Sequence, residues 1–330
     1  MTTDRREDDP QAEKQIAYVT FSLIIDDLVF PDQTTALGML GGGGPQTAFG
    51  MRLWADNVGL VSGVGDDLPE DALAWLRQTG IDTRGLRRTP DCPTPRAWQR
   101  LAEDGHRIQQ WRVPGQVIGR QLGRTLAHLP PAYRQARGFH LGVHPEDPDL
   151  GFIRALCELG AVVSIEPFRE AHGSLSDAEL RALVSAGQIF SPNQLEAESL
   201  VGPGPPDELI RRLVDAGASI IALRQGPTGA LVHHAQTGET CHIPAFETNV
   251  VDVTGAGNAF CGGFLVGWVQ TNDLRTAGLY GAVAASFLVE QVGLPQALDL
   301  EEVRQRLTKV SKIVAPQTIP LIDYDQYRDS

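Results

Sequence analysis

Residues 252–264 read DVTGAGNAFCGGF, between a β-branched run at 248–251 that predicts a strand and a run that predicts a helix. Small residues at Gly255, Ala256 and Gly257 let consecutive backbone N–H groups point outward where that helix would begin, and the helix dipole adds positive potential there. Such a turn binds an anion, and it can stabilise charge that develops on a transferred phosphoryl group. The alternative is an ordinary glycine-rich turn. No Gly-Lys-Ser/Thr follows, so this is not a Walker A loop, and the spacing does not match a dinucleotide fingerprint.

The rest of the chain alternates short β-branched runs with longer amphipathic runs. Strands are predicted at 16–20, 58–61, 161–165, 189–191 and 219–223, and helices at 47–55, 69–79, 150–159, 177–186, 207–216 and 259–269. This alternation predicts a three-layer α/β/α sandwich with a mostly parallel central sheet.

One region departs from this alternation. Residues 96–101 and 107–113 resemble strands and flank Glu103-Asp104-Gly105, a strong hairpin signal. Trp98 and Trp111 lie on this hairpin, so it is either a surface hairpin with core-facing tryptophans or a β-lid that closes over a substrate. We expect the lid to comprise about residues 20–40 and 94–114.

The net charge and the cysteine spacing limit the kinds of molecule that the protein can be expected to bind. The chain has 330 residues and a net charge of −13, which disfavours nucleic acid and anionic membranes as partners. The four cysteines, at 92, 157, 241 and 261, lack CxxC spacing, so they read as reduced thiols of a cytoplasmic protein rather than as a zinc site. Residues 1–14 are polar and predict a disordered tail rather than a signal peptide, which leaves one domain over 15–330.

Several segments together resemble the PfkB carbohydrate kinase family, whose fold is ribokinase-like. Residues 252–264 closely resemble its C-terminal signature, D-T-x-G-A-G-D. Four further segments match in the same order: GGGGPQ at 41–46, VSGVGDD at 61–67, SPNQLE at 191–196 and ALRQGPTG at 222–229. The likeness covers roughly residues 16–312, and the shared order makes it specific.

The resemblance implies a site for ATP, Mg²⁺ and an alcohol. The amides of 255–257 would form the anion hole, and the residues implied on the nucleotide side are Asn193, Arg224, Gly226, Gly229 and Thr254. Glu196 would hold Mg²⁺ through water, and Asp252 would border a monovalent cation such as K⁺. The acceptor side would comprise Asp26, Gly42, Gly43, Gln46 and Trp98. Glu166 and Arg169 join this group because they follow a predicted strand, and strand ends line the ligand crevice.

Each of these residues also has an ordinary structural interpretation. Glu196 and Arg224 could be solvated surface charges, and Asp26 could belong to a turn after the first strand.

Two positions depart from the family pattern. Gln46 stands where Asn is common, and Asn258 stands where the family has the Asp that takes the acceptor's proton. An amide does not accept a proton near neutral pH, and loss of a general base costs ~10²–10⁴-fold in rate. Three explanations stay open: an attenuated site or another base such as Asp26, a binding or structural module, and a deliberate Asp-to-Asn replacement.

The leading interpretation is therefore an ATP-dependent kinase of a sugar, nucleoside or related small molecule, in which Asn258 orients the acceptor. The alternative is a non-catalytic ligand-binding or assembly protein on the same scaffold. A dehydrogenase is disfavoured because no GxGxxG follows the first strand. Lids of this family often pair two chains, so a homodimer through the lid is a further expectation.

Overall fold

The computed structural model describes residues 15–101 and 107–313. The predicted tail at 1–14 and the predicted hairpin tip at 103–105 lie outside these residues. The strands are β1 (Tyr18–Phe21), β2 (Ile24–Val29), β3 (Thr35–Gly41), β4 (Val58–Val64), β5 (Leu86–Arg88), β6 (Arg96–Leu101), β7 (Arg107–Trp111), β8 (Gly138–Val143), β9 (Val162–Pro167), β10 (Ile189–Phe190), β11 (Ile220–Arg224), β12 (Ala230–His234) and β13 (Glu239–Ile243). The α-helices are α1 (Gly44–Arg52), α2 (Glu70–Gln78), α3 (Gly115–Leu122), α4 (Leu150–Glu158), α5 (Asp177–Val184), α6 (Gln194–Val201), α7 (Pro206–Asp215), α8 (Ala256–Thr271), α9 (Leu274–Leu288) and α10 (Leu300–Ser311).

Nine strands form the main sheet, in the order β13-β12-β11-β10-β9-β8-β1-β4-β5. All neighbours pair in parallel except β11 with β12 and β12 with β13. The central strands are buried along their length, as expected when helices cover both faces. The predicted fold class is confirmed.

Two apolar clusters hold the layers together, one on each face of the sheet. The first contains buried side chains of α1, α2, α8 and α9, and the second contains those of α4, α5 and α7. Small residues allow α8 to approach its neighbours closely, because a Cβ at Gly262 would lie 2.2 Å from the carbonyl oxygen of Thr47 in α1. This contact fixes the position of α8, whose first turn carries the glycine motif.

A separate four-stranded sheet has the order β3-β2-β6-β7 and corresponds to the predicted lid. Strand β2 pairs antiparallel with β3 and parallel with β6, and β6 pairs antiparallel with β7. Asp26 lies within β2 rather than in a turn.

The predicted strand at 248–251 is wrong. These residues form an extended loop, and the side chains of Val250 and Val251 are 60% and 54% exposed. A β-branched run favours a strand only where a partner strand and a packed face exist, and here neither is present. The loop is held instead by the amide of Val251, which donates to the carbonyl of Val289 at 2.7 Å.

Candidate active site at the first turn of α8

The glycine motif forms the beginning of α8. Gly255 adopts a φ of 83° immediately before the helix, and a Cβ there would lie 2.6 Å from Cγ of Gln46. A Cβ at Gly257 would lie 2.0 Å from Nη1 of Arg224. The first-turn amides have no acceptor within the helix, although that of Ala256 donates to the carbonyl of Val253 at 3.3 Å. The helix therefore presents its positive end close to Gln46 and Arg224.

Asn258, in the same turn, is fixed by a buried carboxylate. Its Nδ2 donates to Oε1 of Glu166 at 2.6 Å. Because a carboxylate only accepts hydrogen bonds, this contact defines which end of the amide is nitrogen, and Oδ1 is then the acceptor end of the amide. The amide also adjoins Gly43, since a Cβ there would lie 2.9 Å from Nδ2. The position at which the sequence resemblance predicts a general base is thus an oriented amide.

Glu166, at the end of β9, is the centre of a buried polar network. It accepts from Arg224 Nη2 at 3.0 Å, contacts His140 Nε2 at 3.2 Å and accepts from Cys261 Sγ at 3.3 Å. Burial would raise its pKa, but the charge of Arg224 and the bond to His140 outweigh burial and lower the pKa to about 2. Glu166 is therefore a carboxylate at every physiological pH.

His140, Glu166 and Cys261 bring one ligand atom each within 4.8 Å of one another. We do not assign a metal to this group. Arg224 already supplies the positive charge beside Glu166, and burial raises the pKa of the Cys261 thiol well above its usual value. A thiolate, the form that binds metals, is therefore strongly disfavoured at this position.

Arg224 connects this network to the predicted magnesium residues. Its Nη2 lies 3.2 Å from Oε2 of Glu196 and donates to the carbonyl of Ser191 at 2.8 Å. Glu196 and Asn193 cap α6 reciprocally, through bonds of 2.7 and 2.8 Å. Burial raises the pKa of Glu196 to about 7, although Arg224 opposes this shift. A nearby cation would stabilise the charged form of a buried acid whose pKa is raised in this way. Glu196 therefore suits the role of a Mg²⁺ ligand.

The residues predicted for the acceptor side lie where the lid meets the start of α1. The buried Asp26 carboxylate accepts from Gln99 Nε2 at 2.8 Å, and a Cβ at Gly41 would lie 1.7 Å from its Oδ2. Gln46 donates to the carbonyl of Leu40 at 3.0 Å. Among the described residues, the buried Oε1 atoms of Gln46 and Gln99 have no hydrogen-bond partner. Two unsatisfied acceptors beside a carboxylate favour a ligand rich in hydroxyl donors.

Four further predicted residues lie either within the motif or in the turn that follows β11. The Thr254 amide donates to Oδ1 of Asp252 at 2.9 Å, while Oδ2 of Asp252 is buried without a partner in the described chain. Gly226 and Gly229, with φ of 57° and 98°, form the turn that follows Arg224 and β11.

Two predicted residues lie away from this cluster. Trp98 points from the lid face opposite to Gln99 and stacks under Arg112, whose Cζ is 4.6 Å from the ring. Arg169 pairs with Glu146 at 2.7 Å. Within the described ranges, neither side chain forms a hydrogen bond with Asn258.

The sequence reasoning missed Gln99 and Cys261 as members of the site. Gln99 lies two residues from Ala97 on a strand, so the period-2 alternation places both side chains on the buried lid face. That alternation could have identified Gln99. Cys261 carried no such signal, because its contact with Glu166 joins residues 95 positions apart.

Comparison with known proteins agrees with this geometry. The chain is 28% identical over 271 residues to a cytidine kinase of Thermococcus kodakarensis. This alignment covers 82% of this chain and 94% of the relative. It is 27% identical over 292 residues to a nucleoside kinase of Methanothermobacter thermautotrophicus, covering 84% and 89%. An Escherichia coli structure described as a putative ribokinase II in complex with ATP and Mg²⁺ superposes with a TM-score of 0.70 at 18% identity, covering 89% of this chain and 99% of that one.

The model of the pfkB family of carbohydrate kinases matches residues 31–299, which include the lid strands β3, β6 and β7, Glu166, Arg224 and the first turn of α8. The resemblance drawn from the sequence motifs is confirmed. The chain belongs to the pfkB carbohydrate kinase family.

Proposed function

We propose that this protein is an ATP-dependent kinase that phosphorylates an alcohol group of a sugar, a nucleoside or a related small molecule. One observation carries the proposal: the first turn of α8, Arg224 and the oriented amide of Asn258 meet at one point. Phosphoryl transfer needs positioning and charge stabilisation more than covalent chemistry, and these groups supply both.

On the nucleotide side, the chain offers a positive helix end, a guanidinium and an oxygen ligand. The α8 amides and Arg224 would stabilise the charge on the transferring phosphoryl group. Glu196, together with the α6 cap formed by Asn193, would hold Mg²⁺ through water, and that ion would neutralise phosphate charge. The turn at 226–229 would lie beside the nucleotide.

On the acceptor side, Asp26 and the oxygen atoms of Gln46 and Gln99 would accept hydrogen bonds from substrate hydroxyls. Gly43 leaves room for the acceptor beside Asn258, whereas the neighbouring Gly42 packs closely against Ile24 and Ser22. Oδ1 of Asn258 would accept the hydroxyl's hydrogen bond and orient its lone pair toward the phosphoryl group. In a loose transition state the proton leaves late, so orientation without a base still supports turnover.

Three finer features belong to this proposal. Oδ2 of Asp252 is an unpaired oxygen that would suit K⁺, with Thr254 beside it. The four-stranded lid ends in the strands β3 and β7, and either edge would pair with a second lid in a homodimer. The four free cysteines and the use of ATP suit the cytoplasm. No helix in the described residues is long and apolar enough to span a membrane.

The test is direct detection of product by mass spectrometry. The protein is incubated with ATP, Mg²⁺, K⁺ and a panel of sugars and nucleosides, beside the Gly255→Ala variant, which fills the helix entrance. A phosphorylated product from the native chain that the variant does not form supports the kinase. Binding of ATP–Mg²⁺ and of a panel member without any product would instead identify a ligand-binding protein.

A further inference from the structure

The loop that leads into α8 is held by hydrogen bonds at one place, the carboxyl end of α9. The amides of Val251 and Asp252 both donate to the carbonyl of Val289, at 2.7 and 3.2 Å. The hydroxyl of Thr248 donates to the carboxylate of Glu290, the next residue along. Within the described chain, these are the hydrogen bonds that join the loop to any element other than α8. Since no neighbouring strand pairs with the loop, its position depends on this end of α9.

A buried arginine of α10, Arg306, holds that end of α9. Its Nη2 lies 2.8 and 2.9 Å from the two carboxylate oxygens of Glu290, and its Nη1 donates to Oγ of Ser286 at 2.9 Å. Its Nε donates to Glu302, one turn earlier in α10, at 2.8 Å. Its Cζ lies 5.1 Å from the ring centre of Phe246, at the beginning of the loop. Arg306 therefore contacts the loop directly through Phe246 and indirectly through Glu290.

The charge of Glu290 makes this link strong. Burial alone would raise the pKa of Glu290, but the hydrogen bonds from Arg306 and Thr248 outweigh burial and lower it. Glu290 is therefore a carboxylate near neutral pH, and the bonds that it accepts from both residues are charge-assisted. Without Arg306, the partly buried carboxylate would lose its counterion and would gain hydration by turning toward water. That movement would release Thr248 and, with it, the loop.

The same loop carries residues of the candidate active site. Asp252 is one of the two residues whose amides Val289 binds, and its Oδ1 accepts from the amide of Thr254 at 2.9 Å. Gly255 follows directly and precedes the first turn of α8. Phosphoryl transfer depends on position, and a displacement of about 1 Å costs roughly 10²-fold in rate. A shift of the loop would reach the α8 amides through Asp252 and Thr254.

We propose that Arg306 is a positioning residue for the nucleotide side of the site, because through Glu290 it holds the loop that aligns Asp252 and the first-turn amides of α8 with the phosphates. The inference rests on the proposed kinase function and adds to it a residue outside the site. Arg306 does not touch a substrate in this scheme. It acts through Glu290 and Thr248, so removal of either end of that link should have the same kind of effect.

The experiment removes each end of the link separately. Arg306→Met removes the guanidinium and keeps an apolar stem, whereas Thr248→Val removes only the hydroxyl that Glu290 accepts. The matched control is Arg304→Gln, because Arg304 lies on the same helix, is 72% exposed and pairs with the exposed Glu301 at 3.3 Å. The fourth protein is the double variant of Arg306→Met and Thr248→Val.

Two binding measurements separate positioning from general stability. Calorimetric titration should show that Arg306→Met raises the Kd of ATP–Mg²⁺ by about tenfold or more, while the KM of the acceptor changes by less than about twofold. Arg304→Gln should leave both values unchanged. The double variant should bind ATP–Mg²⁺ no more weakly than Arg306→Met alone, because both substitutions interrupt one chain of contacts. Additive effects would mean that the two residues act independently and would overturn the link.

Hydrogen–deuterium exchange at the amides of Val251 and Asp252 gives a readout that does not depend on catalysis. Both should exchange at least about tenfold faster in Arg306→Met and in Thr248→Val than in the native chain or in Arg304→Gln. Unchanged exchange in both variants would show that Arg306 does not hold the loop and would reject the inference.

The outcomes also distinguish this inference from the kinase function. If the native chain and all variants bind ATP–Mg²⁺ equally, Arg306 has only a structural role, and the inference is overturned while the kinase function stands. If the native chain binds no ATP–Mg²⁺, the kinase proposal fails, and the exchange measurement still decides whether Arg306 positions the loop. Melting temperatures identify a variant that fails to fold, and in that case Thr248→Val decides, since it leaves Arg306 in place.

Discussion

Restoring the family's base by Asn258→Asp should fail near neutral pH, because Glu166 occupies the space beside it. The atoms now joined are 2.6 Å apart, so the variant would place two carboxylates in hydrogen-bond contact. At ~3 Å and an effective dielectric constant of ~20, their repulsion is roughly 5 kcal/mol, or about 4 pKa units. Arg224 offsets part of this repulsion. We therefore expect the new carboxyl to titrate near pH 7 or above, sharing a proton with Glu166.

Initial rates between pH 6 and 9 would test this reasoning, for the native chain, Asn258→Asp, Glu166→Gln and the double variant. The single Asp variant should gain activity only as the pH rises above about 7. Removing the Glu166 charge as well should allow the base to ionise at pH 6, with a gain of up to ~10²-fold over the native chain. The pH profile therefore distinguishes a silenced base from a damaged fold.

The controls are the Glu166→Gln single variant and the melting temperature of each protein. Glu166→Gln keeps an acceptor for Asn258 but removes the charge beside Arg224. If Asn258→Asp alone reaches the rate of the double variant at pH 6, the two carboxyls do not interact as the structure implies, and the argument from their proximity is refuted.

Five other substitutions give separate expectations. Gly255→Ala should lower kcat at least ~10²-fold, because the added methyl group would collide with Gln46 and displace the first-turn amides of α8. Gly119→Ala, by contrast, adds a methyl group at an open helical position and should raise the free energy of unfolding by about 0.5 kcal/mol, measured by thermal unfolding. Arg224→Met leaves two buried carboxylates without their partner, and chemical denaturation should show a loss of about 3–5 kcal/mol; unchanged stability would mean that the network is not coupled. Asp26→Asn should raise the KM of the acceptor at least tenfold while the KM of ATP stays constant, and a parallel rise in both would contradict its assignment to the acceptor. Burial opposes ionisation of Asp27, but Arg96 and the Gly38 amide hold its pKa at about 2, so Asp27→Asn should cost about 1–2 kcal/mol at pH 7. Because the folded pKa is depressed, this stabilisation is complete above about pH 4 and disappears as pH falls through 2, and calorimetric melts across that range would check it.

The amino-acid sequence alone determined the fold class and the elements that carry the site. The repeat of apolar residues in a strand and that in a helix are both visible within about ten residues, so each element can be predicted locally. The alternation of predicted strands and helices along the chain then predicted the parallel sheet. The motif at 252–258 likewise predicted a helix start with outward amides, since glycine tolerates the φ of 83° that Gly255 adopts. The lid hairpin followed from Asp104-Gly105 between two strand-like runs. The predicted strand at 248–251 failed because pairing, rather than β-propensity, decides whether such a run joins a sheet.

Only the tertiary structure decided which of these residues act on one another. The bond between Asn258 and Glu166 joins positions 92 residues apart, and no periodicity in the chain encodes it. The same holds for the contact between Cys261 and Glu166, which joins positions 95 residues apart. A pKa, a free lone pair or an unpaired charge depends on burial and on neighbours brought together by folding. The sequence therefore determined the scaffold and the candidate groups, and the packing of β9, α8 and the lid decided their chemistry.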